Sequence, residues 1–507
     1  MSTQASPASG AAESAPSPEV PAMTSERWEK WSDRLNPLVV KEVRQGLRTR
    51  VFWVSFGLLL AACLVLSLIA FVNTHDSAYT REGGAYFFSF FICLALVLFG
   101  VIPFNAYRSL AREREDETWS LLLLTGLGPR RILRGKVASF LVQAVLYASA
   151  VGPFLLFSYF LNGISLPTIL LVLLYGATWM VFLTLVSVCA ATLADSRMGR
   201  SAVRLGLVGA LLLSLFQTLT LTYVVTQERG SGFSFDREFF WGLAAVLWVL
   251  VSNGWLVFEA AVSRLSLVTE DYTRHPRRAL VAQVVLTFAG MTVMWWFLDR
   301  KDDIPSVMGI LGGLHLIFAC LFMATDVDGL ARPLRAGTRA WSLLKPGALR
   351  GFRLSVLLLL GWALGCSVLV WQSRGPTGGM RLMLSIGSLA LYGVLYLSVA
   401  VLLGRMSRSG RFASPVSVRL LFVLVGVVGA GVPPLLSVFL GMDGRDELLN
   451  LLNPVLGPLN FGRYEYSDPS GLKMPPELLL CVALVALLAA FTADRVLAAR
   501  ERRVHQQ

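Results

Sequence analysis

Charge is scarce in this chain: 15% of its 507 residues are Asp, Glu, Lys or Arg, against 55% that are hydrophobic, and the mean hydropathy is +0.63. Soluble globular domains carry about 25% charged residues, so that class is excluded. The shortage is sharpest inside the long apolar runs, whose centres hold no Asp, Glu, Lys or Arg. Such a group costs ~2.5–3.5 kcal/mol at a span centre, yet carriers driven by ions or protons place titratable groups there. An ion-coupled carrier is therefore disfavoured. The exceptions, Asp195, Glu259, Asp494 and the Asp326/Asp328 pair, lie toward run ends. His315 is the one mid-run ionisable side chain, and it reads as a neutral imidazole hydrogen-bonded between helices. Gln143, Gln217, Asn253 and Gln283 serve equally as lining of a polar route or as glue between helices.

Other absences narrow the chemistry. No G-x-x-x-x-G-K-[ST] occurs, and the single Gly-Lys, Gly135-Lys136, is followed by Val137, so the chain lacks the loop that cradles a nucleotide phosphate. The cysteines at 63, 93, 189, 320, 366 and 481 all fall in apolar runs without a C-x-x-C pair. They read as small buried apolar residues. His75, His275, His315 and His505 lack metal-ligand spacing, which argues against a zinc or haem site. No resident cofactor is expected. Residues 1–26 form an Ala/Ser/Pro/Glu tract with no apolar core, read as a disordered tail rather than a cleavable leader. The first apolar run would then act as an uncleaved anchor.

Twelve runs approach the ~20 residues that cross a bilayer. They are 51–72, 87–107, 137–161, 168–193, 203–226, 239–262, 280–298, 304–325, 354–371, 382–403, 420–440 and 478–498. The class is an all-α polytopic integral membrane protein. Assigning the connecting segments alternately to two sides places 35 of the 45 Lys and Arg on one side and 10 on the other. Basic loops resist translocation, so the richer side is cytoplasmic and both termini lie there. The formal charge of +13 is accordingly a topology signal and gives no support to nucleic-acid binding. The expected location is the cell membrane, as a multi-pass protein of a bacterial inner membrane.

Two segments carry more than topology requires. Residues 27–50 read as an amphipathic interfacial helix, with Asn36 as N-cap and Pro37 in the first turn. Val39, Val43 and Leu47 share a face, Lys41 and Arg44 lie on others, and the chain is expected to bend near Gly46. A generic basic juxtamembrane segment fits the same residues. The loop at 108–136 sets Glu113, Glu115, Asp116 and Glu117 before Thr118, Trp119 and a leucine run containing Leu121 and Leu122. Gly126 then stops the helix, Gly128-Pro129 turns, and Arg130, Arg131, Arg134 and Lys136 lead into the third span. Topology explains the cations and leaves the acids unexplained. They form either a solvated charged face or a short helix lying along the membrane, acids toward a cytoplasmic partner and Trp119 toward the interface.

The segment 326–353 repeats the order of a basic residue, Trp341-Ser342-Leu343-Leu344, a Pro346-Gly347 turn and Arg350-Gly351. That faint echo fits a first membrane domain at 51–263 and a second, diverged six-span half at 264–507; an appended module with another role is the alternative for the second half. The long outside loop 441–476 holds either interfacial tyrosines or a pair of short half-inserted helices.

These residues resemble the membrane (permease) subunits of type-2 ABC transporters, most strongly from residue 36 to about 161. Asn36, Pro37, Lys41, Glu42 and Arg44 look like that family's elbow helix. Glu113, Glu115, Thr118, Leu121, Leu122, Pro129, Arg130, Arg131, Gly135 and Lys136 look like its coupling-helix signature. The resemblance implies a pathway-forming subunit driven by a separate ABC ATP-binding subunit, which would hold ATP with Mg and dock on Glu113 to Leu122. It leaves room for a second copy of the chain. Glu117 stands where the family usually has glycine before the threonine, and twelve spans replace the usual six. The other readings are a non-transporting scaffold or assembly protein derived from a permease, and an enzyme acting on lipid. The latter has only the dispersed acids Asp443, Asp446, Glu447, Glu465 and Asp468 to work with.

Overall fold

The computed structural model describes residues 37–76, 83–116, 119, 128–161, 164–194, 196–227, 236–267, 271–300, 303–326, 342–406, 414–440, 449–462 and 476–506. About 91% of the structure is helical, and no strand occurs among the described residues. Among the described residues twelve helices are long and apolar enough to cross a membrane, and each overlaps one run read from the sequence. The protein is a multi-pass helical membrane protein.

A short helix α1 (Pro37–Leu47) precedes the first span. Spans one to six are α2 (Arg50–Asp76), α3 (Gly83–Glu115), α4 (Pro129–Phe160), α5 (Leu166–Ala190), α6 (Arg197–Gln227) and α7 (Arg237–Leu265). Spans seven to eleven are α8 (Arg274–Phe297), α9 (Asp303–Ala324), α10 (Ala348–Gly375), α11 (Gly378–Met406) and α12 (Pro415–Phe439). A short helix α13 (Leu456–Gly462) precedes the twelfth span, α14 (Pro476–Gln506).

Local chemistry explains the irregularities. Pro103 cannot bond the carbonyl of Phe99, and α3 absorbs it with a π turn at Leu96–Val101, where the Ile102 N–H reaches back to the Val97 carbonyl. The chain reverses between α10 and α11 at Gly375 (φ 73°, ψ 177°), a conformation open to glycine, with the extended ψ that the following proline demands.

The core falls into two large clusters. One joins buried side chains from Phe52 to Leu265, the other from Leu280 to Leu497, so the division lies between α7 and α8. Across it, Trp248 of α7 donates to Thr287 of α8 at 2.9 Å. Deeper along the same seam, Ser252, Gln283 and His315 form a hydrogen-bonded row at 3.2 and 3.4 Å. Gln283 and His315 thus act between helices. The cysteines are free: Cys63, Cys320 and Cys366 are buried, while Cys481 departs from expectation by being exposed.

At the end opposite the basic loops, residues 449–462 insert into the second half. Asn450, Asn453 and Phe461 are fully buried. Pro434 has no N–H for the Ala430 carbonyl, and the Asn453 amide supplies the missing donor at 3.0 Å. Ala430 lies nine residues inside the end of α12, about 14 Å of helix rise. The phenols of Tyr392 and Tyr396 donate to the carbonyls of Leu451 and Leu452. Gly457 packs on Tyr392 and Gly429 on Tyr396, in spaces too small for a methyl group. Tyr464 and Tyr466 lie outside the described residues.

Candidate functional site

Interhelical charge pairs gather at the end of the bundle where odd spans begin and even spans finish. Lys136, one and a half turns after the Arg130-Arg131 start of α4, is only 1% exposed. Its ammonium donates to Glu113 at 2.6 Å, to Glu42 at 3.2 Å and to the Ser109 hydroxyl at 3.1 Å. A buried ammonium requires such partners, because desolvation would otherwise cost several kcal/mol. The cluster thereby ties α1, the last turns of α3 and the first turns of α4 into one unit.

The arrangement revises the expected roles of the acids. Glu113 and Glu115 sit in the last turn of the α3 span. Glu113 turns inward to Lys136, and Glu115 turns sideways to Arg200 at 3.5 Å and Arg204 at 4.0 Å of α6. Asp116 caps α3 and is exposed. Trp119 is half-buried against the first core. Glu117, Thr118, Leu121 and Leu122 lie outside the described residues, as does Asn36.

The expected basic re-entry also divides. Gly128 is extended and Pro129 opens α4, where a proline's missing N–H costs nothing. Arg130 pairs with Glu259 of α7, whereas Arg131 and Arg134 are exposed. Gly135 and Lys136 are buried. On α1, Glu42 faces the bundle while Lys41 and Arg44 line an outer groove with Val40 and Arg48. The chain bends at Arg48 and Thr49, where the Thr49 hydroxyl donates to the Gly46 carbonyl at 2.7 Å. Gly46 makes a close approach, with an ideal Cβ there 2.4 Å from the amide nitrogen at the flexible end of Gln143.

Between these three elements lies a cleft of ≈ 580 Å³. Asn105, Ser109, Arg112 and Asp116 form its α3 wall, Ser139 and Gln143 its α4 wall, and Glu42, Gln45 and Thr49 its α1 wall. Taken singly in the sequence, Gln143 gives no hint of the cleft. The signal lies in polar residues at three- and four-residue spacing on both α3 and α4, which puts them on one face of each helix.

The second half uses a different knot. Arg277 of α8 is 2% exposed and donates to the carbonyls of Leu343, Lys345 and Gly347 and to Asp326 at 3.0 Å. Asp326 also accepts from Tyr272 at 3.1 Å. Burial, and then the Asp326 charge, push the Tyr272 phenol well up, so it remains a donor there. Arg350 pairs with Glu501 at 2.7 Å, and Arg353 holds both oxygens of Asp494 at 2.6 and 2.9 Å. Comparison of the chain with protein-family models, curated proteins and solved structures finds no match.

Proposed function

We propose that the chain is the permease subunit of an ABC-type exporter, forming the transmembrane pathway and driven by a separate ATP-binding subunit docked on the loop between α3 and α4. The observation that carries this reading is the buried Lys136 cluster. It fastens α1, α3 and α4 together on both sides of that loop, so a displacement imposed on the loop moves three elements at once. Close-packed interiors transmit such displacements. The sequence resemblance supplies the partner's identity, with ATP and Mg held on that subunit. The basic end then faces the cytoplasm and the membrane is a bacterial inner membrane. The inserted segment 449–462 supports a pathway in the second half, because irregular backbone at membrane depth persists only where protein covers it or a cavity hydrates it.

The test is a mild-detergent pull-down of the tagged protein with mass spectrometry. A stoichiometric ATPase bearing the G-x-x-x-x-G-K-[ST] loop is expected, and Glu115→Lys and Trp119→Asp should each abolish its recovery while membrane insertion stays normal. Glu115 is partly exposed, and exposed pairs like those with Arg200 and Arg204 contribute at most about 1 kcal/mol, so folding should survive its loss. Normal ATPase recovery with both variants, or no ATPase with the native chain, would overturn the proposal and favour a scaffold.

A further inference from the structure

The cleft between α1, α3 and α4 is built for a ligand that the coupling role does not use. Three arginines, Arg50, Arg108 and Arg112, line it, and Arg108 and Arg112 also border the neighbouring groove with Phe104 and Glu115. No described residue gives any of them an ion-pair partner; Arg108 has only the Phe104 ring, 5.9 Å away. At the floor Gln143 is 7% exposed, and its amide has no hydrogen-bond partner among the described residues. Among the described residues the lining sets these three arginines against Glu42, Glu113 and Asp116. Glu42 and Glu113 are already engaged by Lys136.

Phosphate oxygens match this set, since arginine forks bind them with paired, charge-assisted hydrogen bonds. The volume lies within the ~300–1,000 Å³ of ordinary small-molecule sites. The first turns of α2 point to a lipid as the carrier of that phosphate. Val51 borders the cleft, and Trp53 and Val54 on the next turn are 62% and 60% exposed on the outer face of a membrane-spanning helix. A ligand with its phosphate among the arginines would have apolar protein surface leading directly into the bilayer core.

We propose that this cleft binds the phosphodiester headgroup of a membrane phospholipid, with the phosphate among Arg50, Arg108 and Arg112, the Gln143 amide at the floor and the acyl chains along the start of α2. Bound there, the headgroup bridges the start of α2 and the end of α3.

Native mass spectrometry of the full chain in detergent, titrated with dioleoyl phosphatidylglycerol, tests the assignment. The native chain should retain one lipid at low lipid concentration, and the Arg108→Gln/Arg112→Gln double variant should weaken retention at least tenfold. Arg197→Gln, an exposed cation at the same end on α6, should change it less than twofold. Gln143→Leu should weaken retention with a smaller change. Size-exclusion profile and thermal midpoint of each variant verify folding. Equal weakening by Arg197→Gln, or undiminished retention by the double variant, would show only a general cationic surface and overturn the proposal. Competition by millimolar glycerol 3-phosphate as effective as by the lipid would assign the cleft to a soluble phosphate ester and overturn the membrane source. A protein segment found in the cleft by crosslinking in place of lipid would overturn it as well.

Discussion

The two halves of the molecule anchor their basic ends with different materials. In the first, an ammonium on α4 gathers carboxylates from α1 and α3, and the helices stand far enough apart to leave a polar cleft beside it. In the second, a guanidinium on α8 gathers three backbone carbonyls and one carboxylate, pulling residues 342–347 down onto the bundle. Side-chain partners on separate helices can move with those helices. Carbonyls of one short turn cannot separate without refolding the turn. The knot of the first half is therefore the more deformable of the two. Glycine contacts differ in the same sense. A Cβ at Gly351 would lie 2.0 Å from the Met323 carbonyl oxygen, a backbone atom, whereas one at Gly46 would meet only the flexible end of Gln143.

The largest effect is expected from Arg277→Met, which removes the counter-charge of Asp326 and a donor from three carbonyls. A loss near the top of the 3–5 kcal/mol range for breaking buried pairs should appear as a strongly lowered thermal midpoint in mild detergent. Lys136→Met leaves Glu42 and Glu113 beside the cleft, where water can reach them, so its cost should sit at the bottom of that range, about 3 kcal/mol. Finding Lys136→Met the more damaging would break the contrast between the halves. Gly351→Ala comes next, at about 2–3 kcal/mol of overpacking against an immovable carbonyl. Gly46→Ala should cost less than about 1 kcal/mol, because Gln143 can swing aside and alanine gains helix propensity. Thermal midpoints of the glycine pair, measured side by side, sharpen the comparison, and equal losses would refute the backbone-versus-side-chain account.

Much of the architecture is legible in the sequence because it depends on one-dimensional quantities. Apolar run length fixes the twelve spans, and the extension of α3 to Glu115 and the start of α4 at Pro129 only lengthen runs already recognised. The echo between the two basic loops is one of residue order alone, and nothing in it distinguishes an ammonium bound by carboxylates from a guanidinium bound by carbonyls. Glu113 and Lys136 look like surface charges in sequence, and both turn inward because α1 brings Glu42 across to share the ammonium. That crossing brings Gly46 against Gln143, a contact between residues nearly a hundred positions apart.

Composition and hydropathy by themselves determined a twelve-span helical membrane protein with one basic side, since the bilayer selects on length and charge alone. Which charges are spent inside the protein was decided by tertiary structure. The same holds for Asn453 mending the carbonyl that Pro434 frees, and for the three arginines that share one cleft. A side chain's role depends on which helix face meets it, and interhelical packing sets that geometry.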